Sequence, residues 1–188
     1  MSLDDLIADV FAQFAAATID PKSAFRALTL ATVAPDGTPD QRTIVLRTFD
    51  APSRCIGVHT DTRATKYAQL QYNPAVALHV WDAGRRQQVR VLGRASLHVG
   101  DAAARAAWAA LRPLARQLYR VKQSPGVPLL DPSPMQYGEY PEAAAFASFA
   151  VINVVFNRIE TLNLTATGQI RARFDWSDTG LTASWLVP

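Results

Sequence analysis

One cysteine, Cys55, is all the chain carries, which excludes an internal disulfide framework and a multi-cysteine metal site. No apolar run approaches the roughly 20 residues that a helix needs to span a bilayer. The opening residues Met1-Ser2-Leu3-Asp4-Asp5 are acidic, where a secretory leader is basic and then apolar. A cytoplasmic protein is the expectation. Lysine is scarce: 16 of the 19 basic side chains are arginine, and the net charge is only +3. The arginine bias suits an anionic ligand, whose oxygens match the planar guanidinium fork, but it also follows from GC-rich coding. Charged residues make up 19% and hydrophobic residues 49%, which excludes a disordered, collagen-like or coiled-coil chain. At 188 residues the chain is long enough for one domain with a real core, and a single domain over 1–188 is expected.

Periodicity supplies the elements. Residues 3–17 place Leu3, Ile7, Val10, Phe11 and Phe14 at helical spacing, and Asp20-Pro21 ends that helix. Residues 25–33 alternate like a strand, the segment Pro35-Asp36-Gly37-Thr38-Pro39 is a tight-turn signal, and residues 41–49 return as the second strand. A third strand over 55–59 runs into Thr60-Asp61, either of which suits the cap of a short helix reaching Tyr72. A second hairpin, 75–81 with 86–99, turns around Asp82-Ala83-Gly84. Residues 101–111 and 113–122 read as helices, with Pro113 at a tolerated first position. Five of the 12 prolines fall in 124–141, an irregular loop, and strand-like segments follow at 146–164, 169–176 and 181–187. Hairpin-linked strands outnumber helices, so the fold class is mainly β, an antiparallel barrel with peripheral helices. No strand leads into a Gly-rich loop and helix, so a parallel nucleotide-binding sheet does not fit.

The segment Arg42-Thr43-Ile44-Val45-Leu46-Arg47 is the most informative. On a strand its two arginines point to opposite faces. They read either as a ligand contact at a cavity or as strand-end side chains snorkelling to water. His59-Thr60-Asp61 followed by Lys66 combines a strand end, a hydroxyl and a point charge, the makings of an anion site as well as of a plain helix cap with a solvated lysine. Gln88 and Arg90 share one strand face, and Gln88 can read an amide-like ring edge or simply lie on a polar outer face. His59, His79 and His98 lack metal-ligand spacing, and there is neither a nucleophile elbow nor a zinc-like cluster. Arg112, Arg116 and Arg120 form a helical stripe best read as a solvated face, because neither interleaved aromatics nor strong net charge supports a nucleic-acid surface.

Taken in order, residues 42–47, His59-Thr60, Lys66, Gln88-Val89-Arg90, Gln123-Ser124, Arg171-Ala172-Arg173-Phe174 and the terminal Trp185-Leu186-Val187-Pro188 resemble the pyridoxamine 5'-phosphate oxidase-like FMN-binding proteins, in the cyanobacterial-type related subgroup. The resemblance runs from Phe25 nearly to the end of the chain. It implies a homodimeric split β-barrel with FMN at the subunit interface. Arg42 would reach the phosphate, the backbone of Thr43, Ile44, Val45 and Leu46 would follow the ring edge, and Arg47 would stand where the family has a lysine that touches substrate. Thr60 and Lys66 would complete the phosphate cage beside His59. Gln88, Gln123, Ser124 and Arg173 would come from the partner subunit. No residue is required as a catalytic acid or base, His59 being the one candidate and read first as a cofactor contact, and no metal is implied.

The chain also departs from that family. A serine-arginine pair before the lysine is here Ala64-Thr65, with Arg63 as a neighbouring substitute. The helix after the second hairpin carries Ala106, Ala110 and Leu114 where a tyrosine, an arginine and a serine would hold a substrate phosphate, and Arg112 and Arg116 are out of register. The C-terminal Arg-x-His pair appears as Gln169-Ile170-Arg171. The expectation is an FMN-binding oxidoreductase acting on an unidentified small molecule. Pyridoxamine or pyridoxine 5'-phosphate oxidation, a flavin-binding protein without turnover, and a split barrel holding deazaflavin or haem are the alternatives.

Overall fold

The first helix, α1 (Leu3–Ala17), forms where its periodicity places it, and its start is fixed by a reciprocal cap. Ser2 Oγ accepts from the Asp5 amide at 3.1 Å while Asp5 Oδ2 accepts from the Ser2 amide at 2.8 Å. The protein is described by a computed structural model covering residues 2–129, 131 and 140–188. After a single 3-10 turn (Ala24–Arg26) the strands β1 (Ala27–Val33), β2 (Pro39–Asp50) and β3 (Cys55–Asp61) follow. The expected strand at 25 therefore starts two residues later, because the Ser23 hydroxyl caps the turn that buries Phe25. The helix α2 (Thr65–Tyr72) precedes β4 (Ala75–Asp82) and β5 (Gln87–His98), and α3 (Ala102–Ala110), α4 (Pro113–Gln117) and α5 (Glu142–Ala147) lead into β6 (Phe149–Thr165), β7 (Gly168–Ser177) and β8 (Gly180–Leu186).

Every strand pairing is antiparallel. The order β3-β2-β1-β4-β5-β6 closes on itself through β3–β6, giving a barrel of six strands, with β7 and β8 continuing the sheet outward from β6. The length of β6 permits this double duty: residues 149–155 pair with β3, whereas residues 158–165 pair with β7. The main core fills the barrel with Leu28, Leu30, Leu46, Ile56, Val58, Leu78, Val91, Ile152 and Phe156, and α1 adds Leu6, Val10 and Phe14. A second, smaller core of Ala104, Trp108, Ala145, Phe149 and Val151 binds α3 and α5 to β6 outside the barrel. Trp108 and Tyr119 both meet the Phe149 ring edge-on, at centroid distances of 5.3 and 5.2 Å.

Three further expectations change. Neither Thr60 nor Asp61 caps α2, since both belong to β3 and the N-cap is Ala64 without a side-chain bond. The helix expected over 113–122 stops after Gln117. The strand expected from 146 begins at Phe149, because Ala-rich residues 142–147 form α5 after Pro141. Residues 130 and 132–139 of the proline-rich loop lie outside the described residues.

Candidate functional site

Strand β2 sends its two arginines to opposite sides, as alternation requires. Arg42 turns towards α2. Its Nη1 donates to Thr32 Oγ1 at 2.6 Å and its Nη2 to Gln69 Oε1 at 3.0 Å, and the guanidinium pairs with Asp40. Gln69 closes the network by donating to Asp40 Oδ2 at 3.0 Å and accepting from Thr32 Oγ1 at 2.6 Å. Gln69 and Arg42 together hold the Asp40 carboxyl below its usual range. One helical turn before Gln69, Lys66 is partly buried and makes neither a hydrogen bond nor an ion pair among the described residues. Burial lowers its proton affinity, and the neighbouring Arg42 charge lowers it further against the opposing pull of Asp61 and Asp40. A clamped cation therefore stands beside an unpartnered one, a pair suited to an anion.

Thr60 is buried at the same end of β3, and its hydroxyl finds only the Asp61 carbonyl at 3.5 Å. Arg63 does not substitute as an anion ligand. Its Nε and Nη2 grip Asp61 at 2.9 and 2.7 Å, while Nη1 donates to the carbonyls of Val121 and Lys122 at 2.9 and 3.2 Å. Gln123 and Ser124 line a cavity of about 230 Å³ against this Asp61–Arg63 pair in their own chain.

On the outer side of β2, Thr43 and Val45 are exposed while Ile44 and Leu46 are buried in the barrel. Arg47 and His59 line a larger cleft of about 710 Å³ between β2–β3 and α3–α4. Arg47 makes no hydrogen bond among the described residues, and its Nε is buried without a partner. His59 Nδ1 is likewise buried and unpartnered, with the ring edge-on to Phe149 at 4.9 Å. Burial, aided by Arg47, pushes His59 down to about 4, so the imidazole is neutral at pH 7. Burial pushes the Tyr119 phenol up to about 12, with Arg47 opposing.

Gln88 lies on β5, diametrically across the barrel from β2, paired with Trp81 and Leu162. Arg173 lies on β7 outside the barrel, its Nε 2.8 Å from Asp175 Oδ2 but not aligned for a hydrogen bond. One chain thus gathers Arg42, Thr60 and Lys66, with Arg47 and His59 on the adjoining face, and leaves Gln88 and Arg173 elsewhere. Two cleft residues escape a reading by motif. Arg26 sits on an irregular 3-10 turn, and Arg112 belongs to a stripe that looked solvated. Arg116 of the same stripe is not solvated: it donates to the Trp108 and Ala109 carbonyls at 3.1 and 2.9 Å.

A closed antiparallel barrel of six strands, continued outward by two more, is the architecture of a split-barrel protein. Residues 8–99, a little under half of the chain, match the pyridoxamine 5'-phosphate oxidase FMN-binding domain. A pyridoxine/pyridoxamine 5'-phosphate oxidase of Nostoc punctiforme is 42% identical over 67 residues, which are 36% of this chain and 30% of that enzyme. The matched stretch thus spans under a third of that relative's length. The crystal structure of a pyridoxamine 5'-phosphate oxidase-related, FMN binding protein from the same organism superposes with a TM-score of 0.77 at 25% identity, covering 96% of each chain. PhzG from Burkholderia lata, solved with tetrahydrophenazine-1-carboxylic acid, shares the fold with a TM-score of 0.75 at 18% identity, over 97% of this chain and 92% of that one.

Proposed function

We propose that the chain is an FMN-dependent oxidoreductase of the cytoplasm, working as a homodimer on an unidentified small molecule. The observation that carries this reading is Lys66, a partly buried ammonium without a partner among the described residues, set beside Arg42, whose Nη1 and Nη2 are engaged by Thr32, Asp40 and Gln69 while its Nε makes no hydrogen bond there. Such a pair costs stability when empty and is offset by a bound phosphate. Lys66, Arg42 and the Thr60 hydroxyl bind the phosphate tail. The backbone of Thr43, Ile44, Val45 and Leu46 follows the ring edge, and Arg47 and His59 flank it from the cleft side. Gln88 and Arg173, remote within one chain, come from the partner subunit, and Gln123 with Ser124 close the Asp61 end. FMN when bound supplies hydride or single-electron transfer; the protein orients it and limits its access to water and oxygen.

Purified protein is expected to be yellow and to release FMN on denaturation, identified by its mass. Release of haem or deazaflavin overturns the reading. A second reading, flavin binding without turnover, is favoured by one observation: His59 at about 4 and Tyr119 at about 12 leave neither group poised for proton transfer near neutral pH. Anaerobic reduction of the bound flavin followed by a substrate screen separates the two, since persistent inertness leaves only the binding protein. Oxidation of pyridoxamine or pyridoxine 5'-phosphate has less support, because Ala110 and Leu114 stand on the cleft wall where the resemblance implies phosphate ligands.

A further inference from the structure

The large cleft has two chemically distinct parts. One wall, from α3 to the segment after α4, is hydrocarbon: Ala107, Ala110, Leu111, Leu114 and Leu118 line it. None of these side chains has a polar atom to read a polar substrate body. Leu114 and Leu118 are largely exposed, at 81% and 60%. Three cations complete the lining: Arg112 interrupts that same wall between Leu111 and Leu114, and Arg26 and Arg47 come from the 3-10 turn and from β2. Arg47 brings a buried Nε with no partner. Arg112 makes no side-chain hydrogen bond or ion pair among the described residues. Arg26 is fixed by its Nη1, which donates to the Ala17 and Thr18 carbonyls at 2.9 and 2.7 Å, so its remaining N–H groups are carried on a rigid anchor. The charges of Arg26 and Arg47 act on one another. Among the described residues no aspartate or glutamate lines the cleft, and its His59 is neutral.

From this arrangement we infer that the cleft takes an aromatic or alicyclic carboxylate, its apolar body against α3 and the α4 segment and its carboxylate on Arg47 and Arg112, with Arg26 behind them. An arginine fork fits a carboxylate in two parallel hydrogen bonds. Burying the exposed leucines under an apolar body contributes the hydrophobic part of the affinity. A protonated amine is disfavoured, since three guanidinium groups repel it and no acid neutralises it. A phosphate ester meets the same arginines, but Ala110 and Leu114 stand on the wall where the resemblance implies its further ligands, which favours the singly charged carboxylate. This inference names the substrate class of the proposed oxidoreductase and rests on that reading for the cleft's place beside the flavin.

The test uses three isosteric probes on the full chain, with and without added FMN, followed by titration calorimetry: 2-naphthoate, 2-naphthyl phosphate and 2-naphthylmethylamine. Naphthoate is expected to bind, the amine to give no measurable heat, and the phosphate ester to bind no better than the carboxylate. R47M and R112M are each expected to weaken naphthoate by about tenfold or more, through loss of one charge-assisted contact. L114D is expected to weaken it comparably, and R112M, an exposed site, carries the test if R47M does not fold. Equal binding of the amine, a tenfold preference for the phosphate ester, or unchanged naphthoate affinity in both R112M and L114D overturns the inference. The two readings fail separately. FMN binding without naphthoate binding defeats the substrate class alone, and naphthoate binding with this charge preference in a chain that never takes FMN defeats the flavin alone.

Discussion

At His59 burial outweighs the ordinary basicity of imidazole. The unfolded ring titrates near 6.5 and the folded one near 4, so between those values the unfolded chain holds a proton that the folded chain does not. Stability therefore rises with pH through that window, is complete above about 6.5 and is lost as pH falls towards 4. Melting temperatures measured between pH 7 and pH 4.5 are expected to fall, and less steeply in His59→Gln; an identical slope in the variant would sink this assignment. Arg42 and Lys66 separate by the same kind of accounting. Removing Arg42 strips partners from Thr32, Asp40 and Gln69, so Arg42→Ala is expected to cost about 1–3 kcal/mol of stability as well as FMN affinity. Lys66 has no partner to strand among the described residues. Lys66→Ala is expected to leave the melting temperature of the FMN-free protein unchanged or higher while weakening FMN about tenfold or more. Denaturant melts and FMN titrations on both variants check the contrast. The alternation of β2 was legible because period-2 patterning fixes which face each arginine takes, but whether a cation is clamped or free depends on Gln69 and Asp40, which no local pattern links to Arg42.

Among the elements, the strands and α1 were readable because one face of each is apolar over many residues. The stretch after α3 was not, for a reason visible in Arg116. Its spacing with Arg112 and Arg120 suits a helix, yet α4 ends after five residues and Arg116 folds back onto the last carbonyls of α3. A guanidinium satisfying two carbonyls at a helix C-terminus competes with continued helix, and periodicity cannot register that competition. A close backbone crossing lies elsewhere, at the β5–β6 irregularity between Leu92 and Gly93. A Cβ on Gly93 would stand 2.5 Å from the Val155 carbonyl oxygen and 2.8 Å from the Phe156 Cα. Both are backbone atoms, so a side-chain rotation cannot relieve the clash. Gly93→Ala is expected to destabilise the protein by about 2 kcal/mol or more, whereas Gly37→Ala, which meets open space and only the cost of positive φ, is expected to cost about 1. Parallel chemical denaturation of the two variants is the measurement; equal midpoints would show that β5 and β6 can part at Gly93 without cost.

For the molecule as a whole, six strands close the barrel on its core, but the cations and amides of the proposed site do not close on one ligand within one chain. Gln88 lies across the barrel from β2 and Arg173 beyond it, while Lys66 and Arg47 have no partner among the described residues. The sequence order of these residues could be matched to a family, but which chain supplies each one is a property of an assembly that hydrophobic patterning does not encode. Under the shared-site reading, FMN is bound only by the folded dimer, so ligand, folding and association are linked equilibria. FMN at about 100 times its dissociation constant then adds about 2.7 kcal/mol, which for a domain of this size raises the melting temperature by roughly 5–10 °C. The same linkage makes the melting temperature rise with protein concentration and makes FMN shift dilute protein towards the dimer in analytical ultracentrifugation. Gln88→Ala is expected to weaken FMN without altering the unliganded chain's stability, because Gln88 makes no side-chain hydrogen bond in the described structure. A monomer that binds FMN stoichiometrically, with a melting temperature independent of protein concentration, would place the whole flavin site inside one chain and remove Gln88 and Arg173 from it.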